Sequence, residues 1–151
     1  MQKKQNRLLQ ASTSIYCTYN QFICVLCLNI AMRLLFVCVG NSCRSQMAEG
    51  IAKELGHDAA SAGTHPASEV SKNAIKILQS KGIATDDLYP KLIDDIDWKE
   101  YDLVISMGCG VSCPAIRIDQ DWQLDDPVGQ PLAVFEECAK VIETNIRKLT
   151  D

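Results

Sequence analysis

The chain has 151 residues, with 15 Lys and Arg against 19 Asp and Glu and a formal net charge of -4. That length is one domain by the usual prior, and enough to bury a core without disulfides or a structural metal. No basic cluster interleaved with aromatics occurs, which argues against nucleic acid and anionic membrane as partners, so an anionic substrate has to be held by a local site.

Lys3, Lys4 and Arg7 precede an apolar run over residues 22–31, an order that loosely resembles a signal peptide. Asn29 and Arg33 interrupt it as a membrane span, and no small-residue cleavage site is well formed. We therefore expect residues 1–31 to be a disordered or artefactual extension and residues 32–151 to be the working domain. Cys24 and Cys27 have CxxC spacing but no second pair at zinc-site distance.

From residue 32 onward, strand-like and helix-like segments alternate. RLLFVC, residues 33–38, is a continuous apolar run of strand length, as expected of a strand covered on both faces. Residues 45–55 carry Met47, Ala48, Ile51, Ala52 and Leu55 at helical spacing, and Gly56 closes that helix. A short strand over 58–62 enters the turn SAGTHP. Val70, Ala74, Ile75 and Leu78 then predict one face of a helix ending before Gly82. YDLVISM, 101–107, reads as the next buried strand, and 108–131 as loop. Residues 133–149 form a final amphipathic helix with apolar positions at 134, 135, 138, 142, 146 and 149. The alternation predicts a small doubly wound α/β fold of about four parallel strands flanked by helices. Ligands in such folds sit at the carboxyl ends of strands, which singles out 39–44, 108–114 and 125–127.

The eight cysteines fall on a strand end, in loops and on a helix, which suits reduced thiols in the cytoplasm better than a disulfide framework. The densest chemistry lies in the first loop, Val39, Gly40, Asn41, Ser42, Cys43 and Arg44, between strand and helix. There backbone N–H groups can curl around an anion and the helix N-terminus adds partial positive charge. Gly40 permits the curvature, and Arg44 can grip two oxygens in a planar fork. The same field favours the thiolate of Cys38, and Ser45 can donate a hydrogen bond to it. Arginine and amides would thus hold a tetrahedral oxyanion over an ionised sulfur.

CVGNSCRSQMAE, with SAGT and a late DDP, resembles the low-molecular-weight protein tyrosine phosphatase superfamily, which includes the thioredoxin-coupled arsenate reductases. The resemblance covers about residues 33–149. It implies Cys38 as nucleophile, Arg44 as oxyanion binder, Ser45 as the residue that tunes the thiol, and an Asp before Pro as general acid, matched by Asp126 with Asp125 as the neighbouring alternative. It also implies a loop-shaping role for Asn41 and, in some members, a potassium ion near that Asn with Glu49 and Ser61. Phosphatase and reductase both begin with thiolate attack, but only a reductase must supply two electrons. Cys109 and Cys113 in LVISMGCGVSCPAI could supply them, Cys109 attacking Cys38 and Cys113 attacking Cys109. Gln46 stands where the phosphatases usually have Pro, and no tyrosines follow Pro127, both of which lean toward the reductases. The two later cysteines are closer together than in the best-known thioredoxin-coupled members, so the donor is either thioredoxin or a glutathione and glutaredoxin system, and Cys43 is an alternative participant.

The sequence therefore leads us to expect a monomeric cytoplasmic arsenate reductase serving arsenic detoxification. A phosphatase acting on phosphate monoesters is the alternative, and a thiolate metal site built from Cys38, Cys43, Cys109 and Cys113 is a third reading that Arg44 disfavours. His57, His65, Trp98, Trp122 and the run DDIDWKE read as loop, packing and solvated-turn features.

Overall fold

A computed structural model describes residues 30–108 and 116–151. In chain order the elements are β1 (Arg33–Cys38), α1 (Arg44–Glu54), β2 (Asp58–Gly63), α2 (Lys72–Ser80), two 3-10 helices (Ile93–Asp95 and Trp98–Glu100), β3 (Leu103–Ser106), β4 (Gln120–Asp121) and α3 (Leu132–Arg147). The strands form one four-stranded sheet in the order β2-β1-β3-β4, with every pairing parallel. β1 lies in the interior of the sheet, which explains its uninterrupted apolar sequence: Leu34 to Val37 are fully buried. The predicted α/β architecture is the one observed.

Side chains of β1 alternate between two cores. Leu34, Phe36 and Cys38 join Met47, Ala48 and Ile51 of α1, Ala74, Ile77 and Leu78 of α2, and Phe135, Ala139, Ile142 and Ile146 of α3. Leu35 and Val37 face the other way, into a smaller cluster with Ala62, Ile93 and Val104. Trp98 and Tyr101 pack over that second cluster, so the stretch expected to be only a solvated turn supplies the 3-10 helices covering the second face. Its carboxylates remain exposed, as expected. Trp122 packs on the larger core, its ring 5.8 Å from that of Phe36.

The helix faces differ from the periodicity reading in detail. On α2 the buried residue is Ile77 rather than Ile75, and on α3 Ala139 is buried while Val134 is 40% exposed. Gly56, at φ 93, ends α1 as predicted: its own N–H reaches Lys53 O, and His57 N–H reaches Ala52 O. His57 is half-buried rather than a free loop residue, accepting from Met32 N at 3.3 Å, and burial lowers its pKa. Among the described residues no helix is long and apolar enough to cross a membrane.

Candidate active site

β1 delivers Cys38 to the carboxyl edge of the sheet, and residues 39–43 turn there before Arg44 opens α1. The carbonyls of this turn are held from outside. Thr64, His65, Ala67 and Ser71 donate their N–H groups to Cys38, Val39, Gly40 and Ser42, at 3.2, 2.9, 2.9 and 2.9 Å. The remaining carbonyl, of Asn41, accepts from Gln46 Nε2 at 2.9 Å. With its carbonyls engaged outward, the turn presents its N–H groups to its own concavity, the arrangement that binds anions. Asn41 N–H points to Cys38 Sγ at 3.1 Å, a conformation that requires φ 46 at Asn41.

Gly63 ends β2 opposite Cys38 in the register. A Cβ there would lie 2.5 Å from Val39 O and 2.9 Å from Asn41 Cβ, so the segment that braces the turn can approach only through a glycine. Gly63→Ala is expected to push the turn outward, costing about 1–3 kcal/mol of stability and weakening phosphate binding. Chemical denaturation and phosphate titration calorimetry on the variant check both effects, and unchanged values in both would show that the turn is not braced there.

Around the sulfur runs a buried polar chain. Ser45 Oγ lies 2.9 Å from Cys38 Sγ, and Asn41 Nδ2 donates to both Ser45 Oγ (2.8 Å) and Ser61 Oγ (2.9 Å). Ser61 donates in turn to Glu49 Oε2 at 2.6 Å. Because Asn41 Nδ2 donates to both serine oxygens, the hydroxyl proton of Ser45 is free to be donated to the sulfur.

Arg44 is 7% exposed. Its Nη1 donates to Met107 O at 3.0 Å and Leu124 O at 2.6 Å, which uses both protons of that nitrogen and leaves Nε and Nη2 for a ligand. Asp126 lies 3.6 Å from Nη2 and is half exposed, and its other oxygen accepts from Val128 N. Asp125, by contrast, makes no contact with Arg44 among the interactions of the described residues. Cys43, the alternative participant, is a free thiol 4% exposed and, like Cys38, belongs to the larger core. Burial raises its pKa, against the pull of hydrogen bonds from Ser42 and Ser71. Cys138 on α3 is likewise pushed up to about 11 by burial. At neutral pH these are protonated thiols and poor nucleophiles. Cys109 and Cys113 lie outside the described residues, as do Cys24 and Cys27. Among the described residues no group of three His, Cys, Asp or Glu side chains is placed to hold a metal ion.

The residues expected around a potassium ion do not fit one. Asn41 turns its NH2, not its oxygen, into the cluster, and Ser61 Oγ is committed to Glu49. Both Glu49 oxygens already face ammonium groups: Oε1 meets Lys53 Nζ at 2.7 Å and Oε2 meets Lys91 Nζ at 3.2 Å.

With this geometry in hand, comparison with known proteins is decisive. Residues 33–151 match the family described as low molecular weight phosphotyrosine protein phosphatase. The chain belongs to that family. Within it, the chain is 39% identical over 124 residues to a glutaredoxin arsenate reductase of Synechocystis sp., covering 78% of this chain and 95% of that one. A solved arsenate reductase in a phosphate-binding state superimposes with a TM-score of 0.72 at 38% identity, over 79% of this chain and 96% of that one. A low molecular weight protein tyrosine phosphatase from T. tengcongensis superimposes with a TM-score of 0.66 at 35% identity, over 79% and 97%.

Several residues that shape this site were not legible as such in the sequence. Lys91 and the backbone carbonyls of Met107, Leu124 and Tyr89 carry no local signal. Gly63 does carry one, a glycine at a strand end, which marks close backbone approach.

Proposed function

We propose that this chain reduces arsenate to arsenite, as a detoxifying arsenate reductase of the low molecular weight phosphatase family. The observation that carries the substrate is the likeness, over nearly their full lengths, to arsenate reductases known by sequence and by structure. The buried arrangement around Cys38 supports the chemistry. In the proposed reaction the turn's N–H groups and the free edge of Arg44 hold the oxyanion, and Cys38 thiolate attacks arsenic. As the arsenic(V)–sulfur bond forms, an arsenic-bound hydroxyl takes one proton from Asp126 and leaves as water.

The redox step follows. A second thiolate, assigned from the sequence to Cys109, attacks Cys38 Sγ; the sulfur–sulfur bond forms as the arsenic–sulfur bond breaks, and its electron pair reduces arsenic to the trivalent state, released as arsenite. Cys113 then attacks Cys109, freeing Cys38 and leaving a Cys109–Cys113 disulfide. Two electrons and two protons from an external thiol donor, thioredoxin or glutathione with glutaredoxin, close the cycle. A relay of this kind suits a reducing compartment, and the proposed working site is the cytoplasm.

A phosphatase reading is supported by the family description and by the tyrosine phosphatase likeness at 35% identity. The separating experiment gives the full chain arsenate and NADPH with thioredoxin and its reductase, then with glutathione, glutaredoxin and glutathione reductase, beside p-nitrophenyl phosphate. Arsenate-dependent NADPH oxidation with either donor is the expected result, and the faster donor is the partner. Ester hydrolysis with no arsenate-dependent oxidation in either system would overturn the reductase assignment.

A further inference from the structure

Lys91 touches the site in three ways. Its N–H donates to Asn41 Oδ1 at 2.8 Å, its carbonyl accepts from Gly63 N at 2.8 Å, and its ammonium binds Glu49 Oε2 at 3.2 Å and Tyr89 O at 2.8 Å. The ammonium also lies 4.4 Å from the centre of the Tyr89 ring. The Lys91 side chain is 14% exposed, against 42% for Lys53, the other cation on Glu49. The two lysines also divide the carboxylate unequally. Lys53 takes Oε1, whereas Lys91 shares Oε2 with Ser61, the oxygen from which hydrogen bonds run through Ser61, Asn41 and Ser45 to Cys38.

A buried carboxylate near a nucleophile is a liability, since its charge opposes that of the thiolate. It is useful here because it accepts the Ser61 proton and so orders the donors that end on the sulfur. Keeping the ordering without the repulsion requires a positive charge on the same oxygen, shielded from solvent. We propose that Lys91 is a positioning residue whose ammonium is the built-in counter-ion of Glu49, filling the role an alkali cation would fill and leaving Cys38 reactivity independent of potassium.

The inference rests on Cys38 as the nucleophile of the proposed reaction, and its test reads that sulfur without arsenate, so failure of one is distinguishable from failure of the other. The full chain, reduced beforehand, is alkylated with iodoacetamide at pH 7. Cys38 is resolved from the other cysteines by peptide mass spectrometry, in choline, sodium or potassium chloride at one ionic strength. The wild-type rate is expected to be the same in the three salts. Lys91→Met is expected to slow it on the order of threefold to tenfold in choline, and Lys91→Arg to keep it near the wild-type rate, while Lys53→Met changes it little. A wild-type rate that rises saturably with potassium overturns the proposal, and this arm needs no variant to fold. So does a Lys91→Met rate equal to wild type, a Lys53→Met loss as large as that of Lys91→Met, or a Lys91→Arg loss as large as that of Lys91→Met.

Discussion

Replacing Cys38 by serine is expected to abolish arsenate reduction and any phosphate-ester hydrolysis while leaving oxyanion binding in place. A serine hydroxyl stays protonated at neutral pH, so the nucleophile is lost, and the sulfur needed for the later disulfide is lost with it. The fall in turnover is expected to be on the order of 10⁴-fold or more. Binding should survive because the cradle depends on carbonyls held by residues 64–71 and by Gln46, none of which contacts the Cys38 side chain. Coupled NADPH oxidation reads the loss, and phosphate titration calorimetry reads the retained binding. Cys109→Ser provides the contrast: it is expected to stop arsenate turnover yet spare whatever ester hydrolysis the wild type shows, since the first attack does not use it. Full multiple-turnover reduction by Cys109→Ser would contradict the relay, and reduction by Cys38→Ser would contradict the nucleophile.

The second large effect is expected from Arg44→Lys, although the charge is kept. Nη1 of Arg44 satisfies the carbonyls of Met107 and Leu124 while the rest of the guanidinium remains for the oxyanion, a division that a single ammonium cannot reproduce. Loss of the bidentate edge at the developing negative charge is expected to lower kcat/KM by about 10²- to 10³-fold. Met107 O keeps the Leu124 N–H, but the Leu124 carbonyl left unpaired costs roughly 1–3 kcal/mol, so the midpoint of chemical denaturation should fall as well. A lysine variant with wild-type kcat/KM would show that the guanidinium contributes only its charge.

What the sequence made legible is what lies close along the chain. RLLFVC announces a covered strand, and Cys38, Arg44 and Ser45 fall within one strand-to-helix turn, so their meeting follows from local geometry. The contacts that organise those residues span much greater separations. Lys91 meets Glu49 across 42 positions and Asn41 across 50, and Arg44 reaches Leu124 across 80. Such pairings are set by strand order and by which loops the sheet brings together, and periodicity has nothing to say about them. Gln46 was visible as a departure from the phosphatase pattern, but its task of holding the Asn41 carbonyl shows only in three dimensions. The helix faces slipped for a related reason: Ile75 and Ile77 are equally apolar, and only the tertiary packing that buries Ile77 beside Ala74 and Leu78 distinguishes them.

The outward-held carbonyls of the 38–42 turn have a bearing on selectivity. Donors from elsewhere in the fold keep the cradle shaped, so the incoming oxyanion has little ordering to do, and any tetrahedral anion of the right size and charge meets the same set of N–H groups. Arsenate and phosphate present nearly the same oxygens to such a surface. On the proposed reaction the enzyme therefore tells them apart late, not on entry: phosphorus will not accept the electron pair of the bond to sulfur, whereas arsenic will. Discrimination then belongs to the redox chemistry of the central atom, and phosphate is a competitor that the cradle has no means to refuse.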